Sequence, residues 1–96
     1  MRRLYIITYD ISNPKRLRKV LTIMRGFGDH LQLSVFRAEL SNKECIQMKM
    51  KLNPVIHHGE DQVLVIPIGP AGGEIEKDIE ALGRPYEPSE RCAVVV

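Results

Sequence analysis

Residues 4–12, LYIITYDIS, predict a central β-strand that ends at a carboxylate. The segment from Leu4 to Tyr9 is β-branched, aromatic or aliphatic, contains no turn former and is apolar on both alternating faces, as in a strand buried above and below. Residues 12–14, SNP, supply an N-cap pair and a proline suited to the first helical position. Asp10 is therefore a candidate ligand for a hard metal ion at a strand end. The alternative is that it only caps the turn.

Length and composition limit the class of protein. A chain of 96 residues with 44% hydrophobic and 27% charged residues predicts one soluble globular domain. The sequence has no apolar run long enough to span a bilayer and no charged-then-apolar leader, so we expect a cytoplasmic protein that does not associate with membranes. Cys45 and Cys92 lie far apart and are interpreted as reduced core thiols.

Charge is unevenly distributed along the chain. Residues 1–25 hold seven basic residues against one acidic residue, whereas residues 59–96 hold three basic residues against eight acidic residues. This polarity favours a surface that binds phosphates, although a basic helix face is often only solvated. The acidic part includes residues 58–61, HGED, which we interpret as a solvated loop.

The first helix is predicted from about Asn13 to Arg25. Its inner face consists of four apolar residues at helical spacing, namely Leu17, Val20, Leu21 and Met24. Gly26 and Gly28 should end the helix, because glycine tolerates positive φ. Four cations on the remaining faces are candidate phosphate-binding groups close to the strand-end carboxylate: Lys15, Arg16, Arg18 and Lys19.

The middle of the chain predicts a strand and a second helix. The strand should run from His30 to Leu40, with no turn that cleanly divides it, and Phe36 is either core or part of a partly exposed patch. Ser41 and Glu44 form a capping box that begins the helix. Its inward-facing residues are predicted to be Cys45, Ile46, Met48, Met50 and Leu52.

The C-terminal third is less regular. Residues 62–69, QVLVIPIG, predict a strand in which Pro67 requires a position near a sheet edge or the strand end. Residues 74–82 fit a short helix, and residues 78–83 fit a short edge strand equally well. Residues 84–96 predict a linker followed by a final apolar strand, Ala93 to Val96.

These elements predict an α+β fold. Their order is β-α-β-α-β with extra strands at the end. With a further strand between the two helical units, the order becomes the split β-α-β pattern of ferredoxin-like domains. That fold serves many functions, so it does not identify one.

Five segments occur in an informative order and spacing: Tyr9–Ser12, the KRLRK of residues 15–19, Gly26–Gly28, the QLSVF of residues 32–36, and Ile79–Gly83. Together they resemble the CRISPR-associated protein two family, the small partner of the integrase that captures spacers. The last segment is similar to the penultimate strand of that family. The resemblance covers nearly the whole chain.

The resemblance implies a ferredoxin-like homodimer in which residues 84–96 reach the second subunit. The two Asp10 side chains would face each other and bind Mg²⁺. Other matched positions would line the groove near the metal or hold the dimer, and these are Tyr9, Arg16, Arg18 and Phe36. The sequence departs from the family at two positions. His30 replaces an expected Arg, which weakens the case for phosphate-assisted cleavage. Arg37 replaces an expected acid, which adds positive charge to its strand.

Two activities follow from the resemblance. One is Mg²⁺-dependent endonuclease cleavage of single-stranded RNA or double-stranded DNA, and the other is a bridge that holds the integrase and incoming DNA during CRISPR adaptation. One carboxylate per subunit is few ligands for Mg²⁺, and no His or Glu of the first strand or helix is an obvious general base. The sequence therefore favours the bridging role, with cleavage as the weaker activity.

Two alternatives remain for the function of the chain. One is a stand-alone ribonuclease toxin of the same architecture. The other is a ferredoxin-like regulator that senses a small molecule, and this alternative leaves the basic helix unexplained.

Overall fold

The computed structural model describes residues 1–73 and 75–87. Six regular elements follow one another in the order β-α-β-β-α-β: β1 (Arg2–Asp10), α1 (Pro14–Arg25), β2 (Asp29–Gln32), β3 (Val35–Ser41), α2 (Asn42–Leu52) and β4 (Gln62–Pro70). The four strands form one antiparallel sheet in the order β2-β3-β1-β4. The predicted α+β class and the central position of β1 are therefore confirmed.

Helix α1 begins as the sequence predicted. Asn13 is its N-cap, and the side-chain oxygen Oδ1 of Asn13 accepts hydrogen bonds from the backbone N–H groups of Lys15 at 2.9 Å and Arg16 at 3.1 Å. These bonds satisfy amide groups that have no partner within the first turn of a helix. Val20 and Met24 are fully buried against the sheet, so the predicted apolar face is the inner face.

The glycines after α1 have a different role from the one predicted. Gly26 is the C-cap with φ of −79°, so the expectation of a positive φ is wrong there. Gly28 is required by close packing instead. A Cβ atom on Gly28 would overlap the carbonyl oxygen of Arg37 and lie 2.8 Å from Cβ of Ala38. The absence of a side chain at Gly28 lets the chain after α1 approach β3 closely.

Residues 30–40 form a hairpin rather than one strand. β2 and β3 are joined at Leu33 and Ser34, and Gln32 pairs with Val35 across the turn. The single-strand prediction is therefore wrong. Leu33 has a φ of 22°, a value that residues other than glycine adopt rarely. The turn contains no Gly, Asn, Asp or Pro, and Ser34 alone is a weak turn signal.

Helix α2 confirms its predicted start and part of its predicted inner face. The backbone N–H of Ser41 donates to Oε1 of Glu44 at 2.8 Å, and the Glu44 N–H donates to Oγ of Ser41 at 3.1 Å, which completes the capping box. Cys45, Met48 and Leu52 are buried, as predicted. Ile46 and Met50 are exposed, which contradicts the prediction, because the sheet covers only the stripe that the three buried residues form.

The core lies between the helix-covered face of the sheet and the two helices. Its largest fully buried side chains come from β1, β3 and both helices: Ile7, Val20, Met24, Phe36 and Met48. These side chains form one cluster that packs β1 against β3 and the two helices. The end of β1 therefore has a defined position. The interpretation of Phe36 as core is confirmed.

The C-terminal part agrees only partly with the predictions. Pro67 lies in the edge strand β4, as its missing N–H requires. Residues 75–78 form a short 3-10 helix, and residues 79–87 have no regular secondary structure, so the edge strand predicted at 78–83 is not formed. The predicted strand Ala93–Val96 lies outside the described residues. No helix in the described ranges is long and apolar enough to cross a membrane.

Candidate metal and nucleic-acid site

Asp10 is the last residue of β1 and lies at an exposed corner of the sheet. It pairs with Gln62, the first residue of β4, and its side chain is exposed. Within residues 1–73 and 75–87 the Asp10 carboxylate has no hydrogen-bond or ion-pair partner. The side chain that caps the following turn is Asn13. The structure therefore gives no support to the interpretation of Asp10 as a turn cap.

The loop before β4 holds this corner in place through Asp61. Its carboxylate accepts five hydrogen bonds: from the backbone N–H of Ser12 at 3.0 Å, Oγ of Ser12 at 3.2 Å, Nε and Nη2 of Arg16 at 2.7 and 3.1 Å, and the backbone N–H of His57 at 2.8 Å. The Asp61 side chain has no exposed surface. Asp61 thus ties the residues that follow Asp10 to the residues that precede β4.

These contacts change the titration of both charged partners. The Arg16 guanidinium holds the pKa of the Asp61 carboxyl well below its usual range, and the N–H groups of His57 and Ser12 act in the same direction. In return, the hydrogen bond to Asp61 raises the pKa of Arg16. Asp61 is therefore ionised at neutral pH, where it forms an ion pair with Arg16.

Arg16 is consequently less available to phosphates than the sequence suggested. Nη2 of Arg16 also lies 3.1 Å from Oε1 of Glu60, so two carboxylates neutralise one guanidinium. The prediction of residues 58–61 as a solvated loop missed this cluster. No local pattern indicates it, because Arg16 and Asp61 are 45 residues apart in the sequence.

Three further cations in the first half of α1 lie at the surface. Lys15, Arg18 and Lys19 are exposed, and their side chains have no acidic partner within the described parts of the chain. They line a surface groove together with Thr22, Ile23 and Val55. We call these three residues the α1 cations.

The aromatic candidates lie beneath the site rather than on it. Phe36 has no exposed surface and Tyr9 is 5% exposed, so either residue acts on a groove only through the positions of its neighbours. The hydroxyl of Tyr9 donates to the carbonyl oxygen of Leu33 at 3.4 Å, and burial raises the pKa of Tyr9. The His30 ring stacks on Phe36 with centroids 4.6 Å apart and planes inclined by 13°.

Arg37 does not add free charge to the sheet. Its guanidinium pairs with Glu39 at 2.9 Å and with Asp29 at 3.6 Å, and its side chain is only 11% exposed. The charge that Arg37 adds is therefore compensated by neighbouring carboxylates on β2 and β3.

The donor set of one chain is incomplete for a metal ion. No group of three or more His, Cys, Asp or Glu side chains with metal-binding geometry occurs among the residues the structure describes. Asp10 offers one unengaged carboxylate, whose oxygens suit a hard cation. Mg²⁺ is commonly bound by one or two carboxylates and keeps waters and substrate phosphates as its other ligands. Asp10 therefore fits as one ligand of a site completed by other oxygens.

The fold and this corner define a small α+β protein with an exposed strand-end carboxylate beside a basic helix. The profile of the family described as CRISPR associated protein Cas2 matches residues 1–72. A protein of Geobacter sulfurreducens named CRISPR-associated endoribonuclease Cas2 is 40% identical over 96 residues, which covers all of both chains. This chain belongs to the Cas2 family.

Two further relatives agree with this membership. CRISPR-associated endoribonuclease Cas2 1 of Rhodospirillum rubrum is 38% identical over 92 residues, covering 96% of this chain and 89% of the relative. A crystal structure of Streptococcus pyogenes Cas2 superposes with a TM-score of 0.71 at 27% identity, covering 83% of this chain and 99% of that chain. The fold of this chain is therefore shared with a solved member of the family.

Proposed function

We propose that this chain acts in CRISPR adaptation as a homodimer that binds nucleic acid and bridges the integrase, and that Asp10 binds Mg²⁺ in support of a weaker endonuclease activity. Membership of the Cas2 family supports a role in CRISPR adaptation. The names of two relatives, both called endoribonucleases, support the endonuclease activity. The observation that carries the metal assignment is the exposed Asp10 carboxylate, which is unengaged within the described ranges.

The proposed site needs oxygens from outside one chain. Two Asp10 side chains in a two-fold dimer, with water and substrate phosphates, would supply the oxygen ligands that Mg²⁺ requires. A bound Mg²⁺ would neutralise phosphate charge and lower the pKa of a bound water. Asp61 and Arg16 act next to this site by fixing the loop after Asp10, and we assign them no contact with the metal.

The proposed nucleic-acid surface consists of the α1 cations. Lys15, Arg18 and Lys19 are exposed on the helix that begins four residues after Asp10. Their charges would bind backbone phosphates and release counterions, independently of base sequence. Arg16 matches a family position, but its two acidic partners make it a positioning residue in this proposal.

The proposed dimer accounts for the exposed edge of the sheet. The element order and the antiparallel sheet support a ferredoxin-like topology, in which β4 is an edge. β4 exposes three large apolar side chains, Leu64, Ile66 and Ile68. An apolar edge strand favours pairing with another chain. We propose that residues 84–96 of a second subunit contribute to this pairing.

Cleavage assays test the proposal. Single-stranded RNA and double-stranded DNA are incubated with Mg²⁺ and the wild-type protein, Asp10→Asn or Asp78→Asn, the last being a matched loss of one exposed carboxylate elsewhere. We expect Asp10→Asn to abolish Mg²⁺-dependent cleavage and to leave integrase binding unchanged, whereas Asp78→Asn retains both. Cleavage by Asp10→Asn with the wild-type metal response would refute the assignment of Asp10.

A further inference from the structure

The turn between β2 and β3 presents an apolar side chain in an unfavourable backbone conformation. Leu33 is 84% exposed and has a φ of 22°, and it is the only residue other than glycine with positive φ in the described ranges. Such a conformation costs free energy and persists only where the surroundings impose it. The Leu33 carbonyl oxygen accepts hydrogen bonds from the Tyr9 hydroxyl at 3.4 Å and from the ring nitrogen Nε2 of His30.

The register of the sheet brings this turn to the Asp10 corner. Ile7 pairs with Phe36 and Thr8 with Val35, and the Tyr9 N–H donates to the Ser34 carbonyl at 3.1 Å. The next residue of the turn is Leu33, whose carbonyl oxygen accepts a hydrogen bond from the hydroxyl of Tyr9, the neighbour of Asp10 in β1. Gln62 lies on the other side of Asp10. The turn that carries the exposed Leu33 is therefore hydrogen-bonded to the residue before Asp10 and lies beside the end of β1.

We propose that Leu33 packs against a nucleobase of single-stranded nucleic acid whose backbone is held at the Asp10 corner. This inference rests on the proposed function. The α1 cations can bind phosphates, but an apolar side chain cannot, whereas every base offers an apolar face. Bases stacked in a duplex do not expose that face, so Leu33 favours single strands. The Tyr9 and His30 contacts keep the side chain presented to solvent before substrate binds.

Fluorescence anisotropy with two probes of equal charge tests this contact. One probe is a single-stranded oligothymidylate, and the other is an abasic oligomer with the same number of phosphates. We expect Leu33→Ala to weaken binding of the base-bearing probe by about fivefold, since the truncation removes buried apolar surface. Binding of the abasic probe should not change. Met50→Ala, which truncates another exposed apolar side chain on α2, serves as the matched control and should bind both probes like the wild type.

A second variant separates the contact from the fold. Leu33→Asn keeps a side chain but suits positive φ, so its thermal midpoint should equal or exceed that of the wild type while its affinity for the base-bearing probe falls. Equal binding of both probes by the wild type, or unchanged binding by Leu33→Ala, would refute the base contact and leave the α1 cations intact. A weaker dimer in sedimentation with unchanged probe binding would also refute it, by assigning Leu33 to the subunit interface. Failure of the wild type to bind either probe would refute the proposed function itself.

Discussion

Oδ2 of Asp61 lies 2.7 Å from Nε of Arg16, although the two residues are 45 positions apart in the sequence. This pair joins the loop after β1 to the loop before β4, and Asp10 is the last residue of β1 between them. Arg16, a cation of the first turn of α1, is thus used inside the protein. The position of the candidate metal ligand therefore depends on an internal ion pair, and the proposed phosphate binding is assigned to the α1 cations.

Removal of the Asp61 charge should destabilise the protein. Asp61→Asn leaves Arg16 without its main partner and replaces an acceptor of five hydrogen bonds with a weaker one. We expect a lower urea midpoint at pH 7 by circular dichroism. Asp78→Asn removes one negative charge from the exposed 3-10 helix and serves as control. Equal midpoints for the wild type and Asp61→Asn would contradict a role for Asp61 in holding the corner.

The lowered pKa of Asp61 predicts how the stability difference between the wild type and Asp61→Asn depends on pH. Because folding lowers the pKa of Asp61, its ionised form stabilises the folded chain above the ordinary aspartate pKa of about 4, and this stabilisation is lost as the pH falls further. The difference in unfolding free energy between the wild type and Asp61→Asn should be constant above about pH 5 and shrink below about pH 4. A difference that grows on acidification would contradict the direction of the pKa shift.

The three α1 cations should determine the salt dependence of nucleic-acid binding. Lys15→Gln, Arg18→Gln and Lys19→Gln should each lower the magnitude of the slope of log K against log salt by about 0.7 on single strands or about 0.9 on duplex. Lys43→Gln and Lys49→Gln on α2 remove equivalent charges and should leave the slope unchanged. Fluorescence titrations at several salt concentrations measure it. A slope that falls only with the α2 variants would move the interface to α2.

Close packing at Gly28 predicts a large effect of one methyl group. Gly28→Ala forces a Cβ atom onto β3 and should lower the free energy of unfolding by about 2–3 kcal/mol. Gly69→Ala is the control, since a Cβ atom there would meet no atom within 4 Å. Urea unfolding at pH 7 measures both variants. Equal stability of Gly28→Ala and Gly69→Ala would show that the segment after α1 moves away from β3 at little cost.

The apolar side chains exposed on the edge strand β4 lead to a prediction about how the subunits associate. If residues 84–96 of one subunit contribute to pairing at β4 of the other, truncation after Glu90 should leave a folded chain that dimerises more weakly. Sedimentation velocity at micromolar concentration compares the truncated and full-length proteins, with circular dichroism as the control for folding. A truncated chain that dimerises as tightly as the full-length protein would contradict the exchange of this segment.

Short-range patterns predicted the elements well. The capping side chains of Asn13 and Ser41 and the apolar spacing of α1 depend on residues within two turns of each other, so they are visible in the sequence. The central strand β1 was equally clear, because the six residues from Leu4 to Tyr9 have no polar face. Residues 30–40 were different. Their turn contains no Gly, Asn or Pro, and the hydrogen bonds of the Leu33 carbonyl come from Tyr9 and His30, which short-range patterns do not reveal.

The candidate site was predicted only in part for the same reason. Asp10 was found because a carboxylate follows an apolar strand. Its surroundings depend on which distant segments the sheet brings together, and periodicity contains no information on that pairing. Arg16 was therefore assigned to nucleic acid, and Arg37 was interpreted as added charge, without knowledge of their acidic partners. The partner of Arg16 is Asp61, in the loop before β4. The partners of Arg37 are Asp29 on β2 and Glu39 on β3.

Metal binding by the dimer tests the central assignment most directly. Mn²⁺ replaces Mg²⁺ as a paramagnetic probe, and electron paramagnetic resonance counts the ions bound by the wild type, Asp10→Asn and Asp78→Asn without any substrate. We expect one Mn²⁺ per two chains for the wild type and for Asp78→Asn, and at least a tenfold loss of affinity for Asp10→Asn, about 1.4 kcal/mol. Unchanged Mn²⁺ stoichiometry and affinity in Asp10→Asn would contradict the assignment of Asp10 as the metal ligand.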